Sequence, residues 1–122
     1  MRYHALLTLL LMLPGLALAQ NWTTRPTDQL IEQVALDNWV RGKVLNYYDG
    51  GTSDFRENGQ YFYTYGGGGT WEGEFEVGTD STICVTYVTG QTRCDLYVQS
   101  GDRLTVITEE GLRFPIKEIS LR

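Results

Sequence analysis

This chain reads as a mainly β protein: an antiparallel meander of about seven strands forming a small barrel or curled sheet, with one N-terminal helix. Three observations carry that reading. From Lys43 onward apolar and polar residues alternate with a period of two, as in half-buried strands. Turn-forming clusters such as Asp49-Gly50-Gly51 and Ser100-Gly101-Asp102 punctuate the alternation at short intervals. Helical spacing of apolar residues is confined to one stretch before it.

Taken in order, residues 1–19 have the features of an export signal. Arg2 supplies the positive n-region, Ala5 to Leu13 the apolar run, and Ala17-Leu18-Ala19 the small-x-small pattern that places cleavage between Ala19 and Gln20. The apolar run is too short to cross a bilayer, so no membrane insertion is expected after cleavage. No cysteine stands near the cleavage point to take a lipid. The expected destination is the periplasm of a bacterium or the medium.

Removing the signal takes Arg2 and the only histidine, His4. The formal net charge of −5 then becomes one unit more negative. An acidic chain lacks the Lys/Arg footprint that neutralises phosphates, which argues against nucleic acid as a partner. A chain without histidine cannot run Ser-His or Cys-His nucleophiles, and it loses most imidazole metal sites. No catalytic residue, metal ligand or cofactor is therefore assigned.

Residues 20–26 form a polar leader, expected to be mobile, and residues 27–122 a single domain. Thr27 to Val40 reads as the helix: Thr27 can cap, Asp28 suits the positive end of the dipole, and Leu30, Ile31, Val34 and Ala35 recur at helical spacing. Gly42 offers the stop. Strands follow at 43–48, 60–65, 71–77, 82–87, 92–98, 103–108 and 112–119. In the third, Trp71, Gly73, Phe75 and Val77 share one face and Glu72, Glu74 and Glu76 the other. A transmembrane barrel also alternates, but it needs strands of about 9–11 residues, longer than most here.

Cys84 and Cys94 are the only cysteines, and in an oxidising compartment an even count points to a disulfide. The sequence supports the pairing geometrically. If Val88-Thr89-Gly90 forms a three-residue loop closed by Tyr87 and Gln91, counting outward sets Cys84 opposite Cys94 at a non-hydrogen-bonded pair. A redox-active role would call for a shorter Cys-x-x-Cys spacing.

The series Pro26-Thr27-Asp28-Gln29-Leu30, Asp37-Asn38-Trp39-Val40-Arg41-Gly42, Glu57-Asn58-Gly59, Gly69-Thr70-Trp71-Glu72, Ile83-Cys84-Val85-Thr86-Tyr87 with Cys94, and Gly101-Asp102-Arg103-Leu104 resembles a family of small exported bacterial proteins, domain of unknown function 995. Members show a helix ending in a Gly-Asn-Thr-like element, which here reads Asp37-Asn38-Trp39. The resemblance implies the fold and the export, and no activity.

Among possible sites, Tyr61, Tyr63 and Tyr65 stand on one strand face, with Tyr47 and Tyr48 nearby. Tyrosine offers a large apolar body with a polar tip, suited to a ligand pocket or a barrel wall. Gly66-Gly67-Gly68-Gly69 follows, either a hairpin tip or a flexible lip; it lacks the setting of a phosphate loop. The three glutamates read as a solvated face, and Asp49 to Asp54 as a turn without calcium-loop spacing. The functional expectation is a non-catalytic binder of a small apolar or aromatic ligand. The alternatives are an interaction or inhibitor module acting on a periplasmic or envelope enzyme, so that an envelope protein would be the partner, and a histidine-free hydrolase using two carboxylates.

Overall fold

The alternation that begins at Lys43 closes on itself. A computed structural model describes residues 21–122; the expected export signal, with its expected cleavage point at Ala19–Gln20, lies outside the described residues. Nine strands and one helix follow in chain order: β1 (Asp28–Leu30), α1 (Gln33–Val40), β2 (Lys43–Tyr47), β3 (Thr52–Phe55), β4 (Gln60–Thr64), β5 (Thr70–Val77), β6 (Thr82–Tyr87), β7 (Thr92–Ser100), β8 (Arg103–Ile107) and β9 (Arg113–Leu121). Strands β2 to β9 pair antiparallel with their neighbours in sequence, and β9 pairs back onto β2, closing an eight-stranded up-and-down barrel. Closure removes the exposed edges that an open sheet would offer to other chains.

The meander is built from one repeated turn. Tyr47, Arg56, Tyr65, Gly78, Tyr87 and Thr108 each donate a backbone N–H to the carbonyl four residues on. In five of these loops a glycine at the fourth position (Gly50, Gly59, Gly68, Gly90, Gly111) takes a positive φ, the left-handed conformation that completes a three-residue hairpin. The sixth puts Ser81 there instead, at φ 66°. Its hydroxyl explains the exception: buried, it accepts from the Ile31 N–H (2.8 Å) and donates to the Tyr97 carbonyl (2.5 Å).

Alternation now assigns the inner face. Leu45, Phe55, Phe75, Ile83, Val85, Leu104, Val106 and Ile116 point into one core, joined by Leu36 and Val40 of α1, both fully buried. The helix sits across the end where β2 begins and β5 finishes. The Gln33 amide donates to the Val77 carbonyl there, and Arg41 lies over the Phe75 ring while gripping Asp37.

The N-terminal segment departs from expectation. Helix was expected over Thr27 to Val40, but only Gln33–Val40 is helical, and Asp28–Leu30 is a strand beside the second half of β7. Two contacts decide this: Asp28 makes a bidentate ion pair with Arg113 on β9 at 2.8 and 2.9 Å, and Ile31 is tied to Ser81. Of the apparent helical stripe, Leu30 and Val34 are exposed. In the segment expected to be a mobile leader, Trp22 packs against the barrel's outer wall over a second apolar cluster of Leu96, Val98 and Ile107. A further strand, Thr52–Phe55, occupies residues read as part of a turn; Ser53 and Phe55 face inward and it pairs on both sides.

Candidate functional site

At the end opposite α1 the barrel is left open by the described residues. The β2–β3, β4–β5, β6–β7 and β8–β9 hairpins surround this mouth, and three of them start on a tyrosine: Tyr47, Tyr65 and Tyr87. The cavity that opens between them has a volume of about 660 Å³. Tyr61, Tyr63 and Tyr65, singled out in the sequence, all line it, at graded depths. Tyr61 is buried near the floor, Tyr63 is half-buried, and Tyr65 is exposed at the rim.

The structure adds to that stripe Tyr47, Trp71, Tyr87, Tyr97 and Phe114 from five other strands. The rings meet at steep angles: Tyr63 and Tyr65 at 88° and 5.0 Å, Tyr47 and Phe114 at 82° and 6.5 Å, Trp71 and Tyr87 at 73° and 6.0 Å. Edge-to-face packing of this kind is favourable in itself, and it builds a concave wall where parallel stacking would build a slab.

Polar groups are interleaved with the rings, from the tyrosine hydroxyls and from Asp49, Gln91, Thr92, Arg93 and Asp95. Ser53, fully buried, joins two phenols in a chain, with its hydroxyl 2.9 Å from the Tyr47 hydroxyl and 2.8 Å from that of Tyr61. Burial raises the pKa of the Tyr47, Tyr61 and Tyr97 hydroxyls, and less strongly those of Tyr63 and Tyr87, so all remain protonated donors at neutral pH.

One ion pair enters the cavity from β7. Cys84 and Cys94 are paired in register and form a disulfide, with Ile83 and Val85 facing inward on β6. Their neighbours Arg93, Asp95 and Tyr97 therefore point inward on β7 and line the cavity. Nε of Arg93 donates to both Asp95 oxygens, at 3.2 and 2.9 Å. Burial pushes the Asp95 carboxyl up, and the Arg93 hydrogen bond pulls it part of the way back. Burial opposes the Arg93 charge, but the hydrogen bond and charge of Asp95 outweigh it and keep the guanidinium ionised.

The remaining features fall where the alternation put them. Glu72, Glu74 and Glu76 are exposed on the outer face, away from the cavity. Gly66 to Gly69 form an exposed hairpin tip, and no atom lies within 4 Å of where side chains at Gly67, Gly68 and Gly69 would begin. Asp49 lines the cavity, and its Oδ1 accepts the Gly51 N–H at 2.8 Å. No group of three or more potential metal ligands gathers among the described residues.

Arg93 and Asp95 are what sequence reasoning missed. The signal was present: once Cys84 faces Cys94, the parity of β7 turns Arg93, Asp95 and Tyr97 inward. Comparison of the chain with protein-family models, curated proteins and solved structures finds no match.

Proposed function

We propose that this protein is a non-catalytic, exported binding module that takes a small apolar or aromatic ligand into the open mouth of its barrel. One observation carries the reading: a single cavity of about 660 Å³ gathers Tyr61, Tyr63 and Tyr65 with five further aromatic rings, while a helix plugs the other end. Eight-stranded barrels are wide enough to hold one small ligand, and a concave apolar wall with a few convergent polar groups is the usual form of such sites. The disulfide suits an oxidising compartment. With the signal at residues 1–19, the reading extends to the periplasm and to kinship with domain of unknown function 995.

The hydrolase alternative has one feature in its favour, since Asp49 and Asp95 line the same cavity. It is the weaker reading because both Asp95 oxygens accept from Arg93, a contact that favours the ionised carboxylate over the proton-carrying acid. A partner-binding role would use the projecting Gly66–Gly69 tip, whose four glycines carry no side chain to anchor a partner.

The test is titration with the neutral dye N-phenylnaphthylamine, whose fluorescence rises in an apolar site. The expected result is saturable binding at one dye per chain, weakened about tenfold by Tyr63→Ala with little change in melting temperature. No saturable signal, or a loss of stability as large as the loss of binding, rejects the cavity as the site.

A further inference from the structure

The charge and ring geometry of the mouth narrow the ligand's chemistry. Among the described residues three arginines lie over aromatic rings: Arg41 over Phe75, Arg56 over Phe62 and Arg103 over Tyr48. All three pairs lie outside the cavity, whose lining rings have no such cation partner among the described residues. Arg93, the one cation in the lining, is held through Nε by Asp95 and its charge is offset there. Asp49 adds a carboxylate to the lining, and Glu109 and Glu110, on the β8–β9 loop at the same end, are close enough for their charges to act on Asp95. The mouth thus combines aromatic walls at steep angles with an excess of negative charge. Ring faces attract cations through their quadrupoles, most strongly when the cation is freed of water. Fixed carboxylates at the entrance raise the local concentration of such a ligand.

We propose that the cavity selects an organic cation of the substituted-ammonium class, enclosed by the tyrosine rings with Asp49 and Asp95 at its edge. This rests on the ligand-binding reading above and names the ligand's charge. A bulky ammonium suits the site better than a metal ion: its charge is spread over carbon and it loses little on leaving water, and the lining offers ring faces where a metal would need gathered ligands.

The experiment compares three probes on the processed, disulfide-bonded protein by calorimetry and by chemical shifts of the mouth residues. They are phenyltrimethylammonium, its uncharged counterpart tert-butylbenzene, and benzoate. The expected result is that phenyltrimethylammonium binds about tenfold more tightly than tert-butylbenzene and benzoate most weakly. Asp49→Asn, which keeps an oxygen for the Gly51 N–H, should narrow the preference for the ammonium about threefold; Glu110→Gln should act in the same direction. Equal or tighter binding of tert-butylbenzene would overturn the cation assignment and leave the binding module standing. Tightest binding by benzoate would overturn it in favour of an anion on the terminal nitrogens of Arg93. No displacement of mouth resonances by any probe would reject the ligand-binding reading itself.

Discussion

The two ends of this barrel are built from the same strands and mostly the same hairpin, yet they are finished in opposite ways. At the plugged end the inward positions are Leu45, Phe55, Phe75 and Leu104, and Leu36 and Val40 of the helix fill the space between them. At the open end the inward positions are mostly tyrosines, with Trp71, Phe114 and an Arg–Asp pair, and no element among the described residues covers them. Aliphatic side chains carry no polar atoms and interdigitate to high density. Tyrosine gives up some of that density for hydroxyls that can meet water or a ligand. Stability is therefore concentrated at one end, leaving the other free to remain open.

The sharpest way to break this contrast is at the plug. Leu36→Ala removes a fully buried side chain and should cost about 3 kcal/mol in urea unfolding, without altering the lining of the mouth. Next is the disulfide, which lies on the outer wall. Cys84→Ser with Cys94→Ser opens a short loop and should cost roughly 2.5–3 kcal/mol in the chain-entropy model. Dye binding at temperatures where the variant remains folded should be retained; loss of binding by the folded variant would show that the β6–β7 hairpin tunes the mouth.

A smaller effect should appear in acid. The hydrogen bonds and charge of Arg113 hold the Asp28 carboxyl at about 2, below its ordinary 3.8. Its folded value is the lower one, so its contribution is complete above about pH 4 and disappears as the pH falls towards 2. About 1–2 kcal/mol should be lost over that window, solvent screening included, and Asp28→Asn should abolish that part of the pH dependence. The smallest stability effect belongs to the mouth. Tyr65→Ala removes a half-exposed ring whose main partner is Tyr63 and should cost about 1 kcal/mol or less while weakening dye binding several-fold. A cost comparable to that of Leu36→Ala would erase the distinction between the two ends.

What could be read from the sequence was what depends on neighbours along the chain. The β6–β7 hairpin was legible down to its register because loop, closing pair and cysteines lie within a few residues of one another, as was the outward face of Glu72, Glu74 and Glu76 on β5. The strand at Asp28–Leu30 was not legible. Its partners, Ser81, Arg113 and the far half of β7, are all distant in sequence, while Leu30, Ile31, Val34 and Ala35 mimic a helical stripe. Thr52–Phe55 was hidden for a related reason: Ser53 and Asp54 have little preference for strands, and the barrel imposes the conformation from both sides. At the site, the tyrosine stripe of β4 was visible, whereas Arg93 and Asp95 looked like surface charges until the disulfide fixed the parity of their strand.

The closure of the barrel also sets an order of events. Asn46 on β2 meets the Glu118 carbonyl on β9, 72 residues away, whereas the hairpins between them join neighbours. Local hairpins form in microseconds, but bringing such distant strands together is slow because the chain must surrender much more freedom first. Until β9 docks, β2 and β8 each present an unpaired edge and the tyrosine ring has no complete circumference. Ligand capture should therefore be among the last properties the chain acquires as it folds, and a bound ligand should slow the reopening of the β2–β9 seam.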